Sequence, residues 1–209
     1  MSIDLYAVLH ENNNCFTKKN KDNIPTTSGV YGWFYPLKLP PKNSIQHDLK
    51  KFIKEMQLVY NYDAMCEGVP VKELTSKLNW ENVKIKIELE LTDKSSEDEE
   101  NKRREFIENC TDDEYLQFQI IMMKSSLLLP PLYIGKAKNL YERYKEHLSN
   151  SQFKTRYSKY ADINKLKPIN DLIFMCYKTN SISREDKPES EIIIENLLMQ
   201  IIRPRYSKK

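Results

Sequence analysis

Four polar side chains that could hold an anion lie close together in the segment 132–148. They are Tyr133 in a short predicted strand, Lys136 in the turn after it, and Arg143 and His147 in the next predicted helix. Arg143 and His147 are four positions apart and share one helix face. Lys136 precedes the positive end of that helix. Each residue alone is typical of an ordinary surface, but the group together favours a bound phosphate.

A carboxylate in an apolar setting, Glu195, is the second candidate. It lies within IIIENLLMQII, so a helix would surround it with apolar neighbours. A buried carboxylate needs a cation. Arg143 could supply it in a structural ion pair, or a divalent metal could supply it and also serve catalysis. We interpret Glu191, one turn earlier, as an exposed capping charge.

Three strands and two helices must position these residues. The first strand, 28–37, places Tyr31, Trp33 and Tyr35 on one face by alternation. The helix carrying Arg143 begins at Asn139, a good N-cap. The remaining predicted elements are strands at 132–135 and 171–178 and a last helix at 189–202.

About 95 residues separate the first two strands. This stretch predicts helices near 44–62, 70–79 and 112–126 and a strand at 83–91. Because the cost of loop closure grows only logarithmically with length, such an insertion still allows the two strands to pair. We therefore divide the chain into a core of 1–37 and 132–209 and an insertion of 38–131, which serves either recognition or dimerisation.

An ordered set of motifs resembles the GIY-YIG nuclease family. GVY stands at 29–31 and YIG at 133–135, and Arg143 and Glu195 follow in the family's order. The stretch 133–143 is especially similar to the nuclease domain of the excinuclease that acts in nucleotide excision repair. The ending 195–207 is similar too, with Ser207 where the family has Asn, and this spacing selects Glu195 rather than Glu191. His147, one turn after the Arg, resembles a variant found in GIY-YIG restriction endonucleases.

The resemblance implies an α/β (α+β) fold with a small, mainly antiparallel three-stranded sheet flanked by helices. It implies that Tyr31 is the general base and that Glu195 holds one Mg²⁺, with Mn²⁺ as a substitute. Arg143 would hold a nonbridging phosphate oxygen, and Tyr133 would position the nucleophilic water.

Assignment of the general base remains open between two residues. A free Tyr has a pKa near 10, which is too high for efficient proton removal unless Lys136 or a metal-bound water lowers it. His147 titrates near 6.5 when unperturbed and could act directly or relay the proton from Tyr31. Ser207 lacks the amide of the family's Asn, so the hydrogen bond made there is expected to be weaker or lost.

Positive charge concentrates in the last third of the chain. Residues 132–209 carry a net charge of +7, whereas 38–131 carry −4. Such a basic segment suits a polyanion. The residues expected to contact DNA are Lys138, Lys154, Arg156 and Lys159, the last three interleaved with aromatic residues. An ordinary basic, aromatic surface is the alternative.

These observations predict a Mg-dependent DNA endonuclease that hydrolyses phosphodiester bonds, interpreted as a sequence-specific restriction or phage-defence enzyme. Double-strand cleavage with one site per chain favours a homodimer. The alternatives are a structure-selective repair or recombination nuclease and a catalytically weak DNA-binding protein that kept the fold.

The sequence disfavours several other classes of protein. No apolar run approaches the roughly 20 residues of a membrane helix, and the first residues lack the features of a signal peptide. The four cysteines are far apart and form no zinc motif. Free thiols and a cytoplasmic location are expected.

Overall fold

A computed structural model of the protein describes Leu9, residues 14–60, 97–179 and 190–202, and residues 204 and 206. The strands are β1 (Cys15–Phe16), β2 (Gly29–Phe34), β3 (Tyr133–Ala137) and β4 (Ile173–Lys178). The helices are α1 (Ile45–Tyr60), α2 (Glu97–Asn109), α3 (Asp112–Ser125), α4 (Leu140–Ser149), α5 (Gln152–Asn164) and α6 (Ser190–Ile202). The described strands and helices make the protein α+β, so the predicted class is confirmed.

The described strands form one antiparallel sheet in the order β1-β4-β2-β3. The three-stranded prediction was wrong because β1 adds a fourth strand. Two residues are too few to show the alternation that marks a strand in a sequence. In the centre, Tyr31 of β2 pairs with Gly135 of β3 on one side and with Cys176 of β4 on the other.

One face of the sheet carries an aromatic cluster beneath α4 and α5. Trp33 is 1% exposed, and its ring centroid lies 5.1 Å from Phe174, 5.5 Å from Tyr144 of α4 and 5.8 Å from Phe153 of α5. Full burial of a large apolar side chain contributes about 1.5–3 kcal/mol. These contacts anchor both helices against the strands that carry the candidate site.

The opposite face packs against α3. Phe34 and Ile173 form a core with Leu9, Cys15 and Met123, and Leu116, Ile120, Leu127 and Met175 pack against it. A second contact joins this layer to the segment that follows β2, because the Ser126 hydroxyl accepts a hydrogen bond of 2.8 Å from the Leu37 amide. The last helix, α6, packs against β3 and β2.

The chain divides into two compact units. One unit comprises Met1–Pro41 and Leu116–Lys209, and the other comprises Lys42–Tyr115. The sequence-based boundaries fell after residues 37 and 131 instead. The segment 116–131 belongs with the sheet because Met123 and Leu127 contribute to its core.

Within the second unit, α3 begins with a reciprocal capping arrangement. The Thr111 hydroxyl accepts from the Glu114 amide at 3.2 Å, while a Glu114 oxygen accepts from the Thr111 amide at 2.7 Å. The predicted helices at 44–62 and 112–126 are confirmed as α1 and α3. The helix expected at 70–79 and the strand at 83–91 lie outside the described residues.

The described helices and cysteines bear on two predictions made from composition. In the described part of the chain, no helix is long and apolar enough to cross a membrane. The cysteines Cys15, Cys110 and Cys176 are buried free thiols, as predicted, and Cys66 lies outside the described residues.

Candidate active site

The hydroxyl of Tyr31 is the centre of the candidate site. It lies 2.6 Å from His147 Nε2 and accepts a hydrogen bond of 3.1 Å from Arg143 Nε. Tyr31 is 3% exposed and His147 is 1% exposed. Two of the residues singled out from α4 therefore meet one of the two tyrosines inside the protein.

Helix α4 brings Arg143 and His147 to Tyr31. The predicted N-cap is confirmed, because the Asn139 side chain accepts a hydrogen bond of 3.0 Å from the Glu142 amide. Leu140 and Tyr144 are buried. The neighbouring face then presents Arg143 and His147 one turn apart, and both reach the same hydroxyl.

Gly135 allows the two tyrosines to approach the same patch of sheet. A Cβ at this position would overlap the Tyr31 hydroxyl and would lie 2.6 Å from Tyr31 Cζ and 2.9 Å from Tyr133 Cε1. The Tyr31 and Tyr133 rings lie 6.1 Å apart at an interplanar angle of 26°. The glycine of YIG is thus required by space for the Tyr31 ring.

Tyr133 borders the same cluster from the edge strand. Its ring centroid lies 5.2 Å from that of His147 and 4.8 Å from that of Phe153. Tyr133 is half-buried, whereas Tyr31 is buried. Tyr133 is therefore the more accessible of the two tyrosines beside His147.

The second ring nitrogen of His147 contacts a residue that the sequence did not single out. Nδ1 lies 3.0 Å from Ser151 Oγ. The same Ser151 oxygen caps α5 by accepting a 3.0 Å hydrogen bond from the Lys154 amide. A serine four residues after the histidine, at the start of a helical pattern, was the available signal.

Burial determines the protonation states in this cluster. Desolvation, followed by the Tyr133 hydroxyl, raises the pKa of Tyr31 above its ordinary value, although Arg143 opposes this. Desolvation, followed by the charge of Arg143, lowers the pKa of His147 to about 3. The pKa of His147 therefore lies below the unperturbed value of 6.5, and the ring is neutral at pH 7.

Arg143 remains charged in this setting. Burial alone would lower its pKa, but contact with Tyr31 and Glu146 raises it above the ordinary value. Its Nη1 lies 2.5 Å from Glu146 Oε2. Arg143 is thus committed to Tyr31 and Glu146, and the alternative in which it pairs with Glu195 was wrong.

Glu195 instead pairs with the third predicted cation. Lys136 Nζ lies 3.5 Å from Glu195 Oε2, with side chains 34% and 22% exposed. An ion pair this accessible to water contributes only about 0–1 kcal/mol. The ion pair therefore fixes the position of the Glu195 carboxylate but adds little to the stability of the fold.

The buried carboxylate of α6 is Glu191. It is 4% exposed, and one of its oxygens accepts a hydrogen bond of 3.3 Å from the buried Thr179 hydroxyl. The expected order of burial was wrong. The apolar residues Ile193, Leu197 and Ile201 are 49%, 52% and 77% exposed, so this apolar stripe does not face the sheet.

Strand β3 joins the two groups of predicted catalytic residues. Tyr133 lies on the Tyr31 side of the sheet, and Lys136, three positions later, pairs with Val30 and leaves the strand on the other side. In the described sheet β3 is an edge strand. Both groups therefore adjoin one edge, with the phenols on one side and the Lys136–Glu195 pair on the other.

The four basic residues expected to contact DNA lie in different surroundings. Lys154 Nζ donates to the Ser149 carbonyl at 3.0 Å, and Arg156 donates to the Tyr206 carbonyl at 3.2 Å. Lys138 and Lys159 are exposed, the former directly after β3. Ser207 lies outside the described residues.

The donor set around Glu195 suits a magnesium ion bound mostly through water. Within the described residues, no group of three His, Cys, Asp or Glu side chains could hold a metal. Mg²⁺ commonly uses one or two carboxylates and keeps several waters. The single, partly exposed carboxylate of Glu195 fits that pattern, with Lys136 as the group a metal would displace.

Comparisons of the chain with models of protein families, with characterised proteins and with solved structures find no match.

Proposed function

We propose that the chain is a metal-dependent DNA endonuclease of the GIY-YIG type. The main support is the Tyr31 hydroxyl, held between Arg143 Nε and His147 Nε2. A phenol between a cation and a neutral imidazole can accept a proton from water and pass its own proton to the ring. Attack of water on a phosphodiester requires such a transfer.

The pKa directions favour a transfer in which no free phenolate accumulates. Because the pKa of Tyr31 is raised and that of His147 is lowered, a lasting phenolate–imidazolium pair is unfavourable. We therefore describe proton transfer and attack as one step. The water proton goes to the Tyr31 oxygen, and the Tyr31 proton goes to Nε2. The water oxygen bonds to phosphorus, and the bond to the leaving 3′-oxygen breaks with its electron pair.

The remaining cluster residues orient the substrate. The Arg143 guanidinium has five N–H donors and can hold a nonbridging oxygen while it keeps Tyr31 in place. Tyr133, half-buried beside the Tyr31 ring, orients the water and the phosphate. Alignment of this kind accounts for a large share of catalysis in phosphodiester hydrolysis.

Glu195 would hold Mg²⁺, or Mn²⁺, with water in the other positions, and the ion would supply positive charge near the leaving 3′-oxygen. Lys136 orients the carboxylate when no ion is bound, since Lys136 Nζ lies 3.5 Å from Glu195 Oε2. The phenols and the Lys136–Glu195 pair adjoin the same edge of the sheet at β3, so the scissile phosphate would lie at that edge.

The substrate class we favour is double-stranded DNA cut at a specific sequence, as in restriction or phage defence. The net charge of +7 over residues 132–209 supports binding to a polyanion. Lys138, Lys154, Arg156 and Lys159 are the proposed phosphate contacts, and a homodimer would provide one site for each strand.

Cleavage of random-sequence plasmid in Mg²⁺ and in EDTA, followed by sequencing of the ends, tests this function. Discrete ends that require Mg²⁺ support restriction, and nicks confined to branched DNA indicate a repair nuclease. DNA binding without metal-dependent cutting indicates a binding protein and refutes the nuclease.

A matched pair of variants on α6 sharpens the test. Glu195→Gln should abolish cleavage while DNA affinity is retained. Glu191→Gln, one turn away and hydrogen-bonded to Thr179, should cleave like the parent. Equal loss in both variants would contradict the assignment of Glu195 as the metal ligand.

A further inference from the structure

The imidazole of His147 is held by a protein group at each nitrogen. Nε2 contacts the Tyr31 hydroxyl at 2.6 Å, and Nδ1 contacts Ser151 Oγ at 3.0 Å. Because His147 is 1% exposed, these partners rather than bulk water select its tautomer. The tautomer matters because only an unprotonated Nε2 can receive a proton from Tyr31.

The hydrogen-bond inventory allows two arrangements. In the first, Tyr31 donates to Nε2 and Nδ1–H donates to Ser151 Oγ. In the second, Nε2–H donates to Tyr31 and the Ser151 hydroxyl donates to Nδ1. Ser151 can accept the Lys154 amide in both, since a hydroxyl has one donor and two acceptor sites.

The two distances favour the first arrangement. Hydrogen bonds donated by a hydroxyl are commonly near 2.7–2.8 Å, whereas those donated by N–H to oxygen are near 2.9–3.0 Å. The short contact at Nε2 matches a phenol donor, and the longer contact at Nδ1 matches a ring N–H donor. The Tyr31 oxygen can accept from Arg143 Nε in either arrangement, so the choice rests on the two distances.

We propose that Ser151 is a positioning residue that holds His147 in the Nδ1–H tautomer and so prepares Nε2 to receive the Tyr31 proton. The inference rests on the proposed nuclease function for its catalytic meaning. Once the ring is protonated, the bond from Nδ1–H to Ser151 becomes charge-assisted and strengthens. Ser151 is thus the group on α5 that offsets the unfavourable charge of Arg143 on α4.

The other neighbours of the ring do not offer this compensation. Tyr31 on β2 and Tyr133 on β3 are the titratable groups that face it from the sheet, and Arg143 is the charged group on its own helix. Trp33 and Phe153 pack edge-on to the ring. Among the described contacts, Ser151 is therefore the group that accepts from Nδ1.

The difficulty in testing Ser151 is that it also caps α5. Ser→Ala at an N-cap costs about 0.5–2 kcal/mol, whereas Ser→Gly costs only a few tenths. Ser151→Gly thus removes the hydroxyl and largely preserves the helix start. Ser151→Thr keeps both functions, and Asn139→Ala removes the cap of α4 without touching His147 Nδ1.

The test combines a nuclear magnetic resonance spectrum of the histidine side chains with the rate of DNA cleavage. Selective ¹⁵N labelling of histidine gives at most three side chains to assign, His10, His47 and His147. The parent and Ser151→Thr should show the Nδ1–H tautomer at His147, and Ser151→Gly should show a mixture or the Nε2–H form. Ser151→Gly should also lower kcat for DNA cleavage about 10- to 100-fold with KM unchanged, while Ser151→Thr restores it.

The possible results separate the two proposals. An Nε2–H tautomer in the parent, or an unchanged spectrum in Ser151→Gly, overturns the role of Ser151 even if the protein cuts DNA. The expected tautomers in a protein that cuts no DNA uphold Ser151 and refute the nuclease. A loss of kcat in Asn139→Ala equal to that in Ser151→Gly would assign the effect to helix capping and overturn the inference.

Discussion

Tyr31 on the central strand and His147 on α4 lie 116 positions apart in sequence, and their side chains form a buried hydrogen bond of 2.6 Å. Burial raises the pKa of the phenol and lowers that of the imidazole, so the contact joins a neutral donor to a neutral acceptor at pH 7. The proton transfer proposed for catalysis, the role of Ser151 and the pH dependence of stability all follow from this contact.

The first prediction concerns stability against pH. The pKa of His147 is about 3 when folded and about 6.5 when unfolded. Between these pH values the unfolded chain therefore binds more protons than the folded chain. The contribution of His147 to the free energy of unfolding is lost as the pH falls below 6.5. We expect the free energy of unfolding, measured in urea, to fall between pH 7.5 and pH 5 by up to about 2 kcal/mol more in the parent than in His147→Gln. Equal losses in the two proteins would show that the ring is not buried and neutral.

The second prediction concerns space beside Tyr31. Gly135→Ala places a Cβ against the Tyr31 ring, which is packed on Phe174 and cannot easily move. We expect a loss of about 1–3 kcal/mol in the free energy of unfolding. Gly32→Ala is the control in the same sheet, because its nearest contact is the Phe34 ring at 3.0 Å. If Gly32→Ala is as harmful as Gly135→Ala, the cost belongs to the sheet in general and not to the site.

The third prediction concerns the buried carboxylate of α6. Gln in place of Glu191 keeps an acceptor for the Thr179 hydroxyl and removes a buried charge, so stability should stay the same or rise by about 1 kcal/mol. Glu191→Ala removes the acceptor and should cost about 1–3 kcal/mol. Thermal unfolding of both variants measures this order. A Gln variant less stable than the Ala variant would mean that the charge itself is needed.

The burial of Glu191 could not be predicted from the sequence of α6. The pattern of this helix is apolar on nearly every side, so periodicity could not identify which stripe faces the sheet. By contrast, β2 and the start of α4 were predictable, since alternation and the Asn139 cap are local signals. Ser151 was missed because its four-residue spacing from His147 crosses the end of α4, so the helical pattern of α4 alone did not indicate a contact between the two side chains.

The fourth prediction concerns metal binding. Lys136 competes with a cation for Glu195, so Lys136→Met should bind Mn²⁺ more tightly, and Glu195→Gln should lose that binding. Electron paramagnetic resonance of free Mn²⁺ measures both without any nuclease assay. The unfolding free energy of Lys136→Met should change by less than about 1 kcal/mol. Unaltered Mn²⁺ affinity in Glu195→Gln would remove Glu195 from the metal site.

The most direct measurement of the central claim is the single-turnover rate of DNA cleavage by Tyr31→Phe. This variant keeps the aromatic ring and deletes the hydroxyl that contacts Arg143 and His147. Loss of a proton-transfer group typically costs about 10²–10⁴-fold in rate. We predict a loss of that size in Mg²⁺, with DNA affinity unchanged. Cleavage by Tyr31→Phe at the rate of the parent would contradict the account.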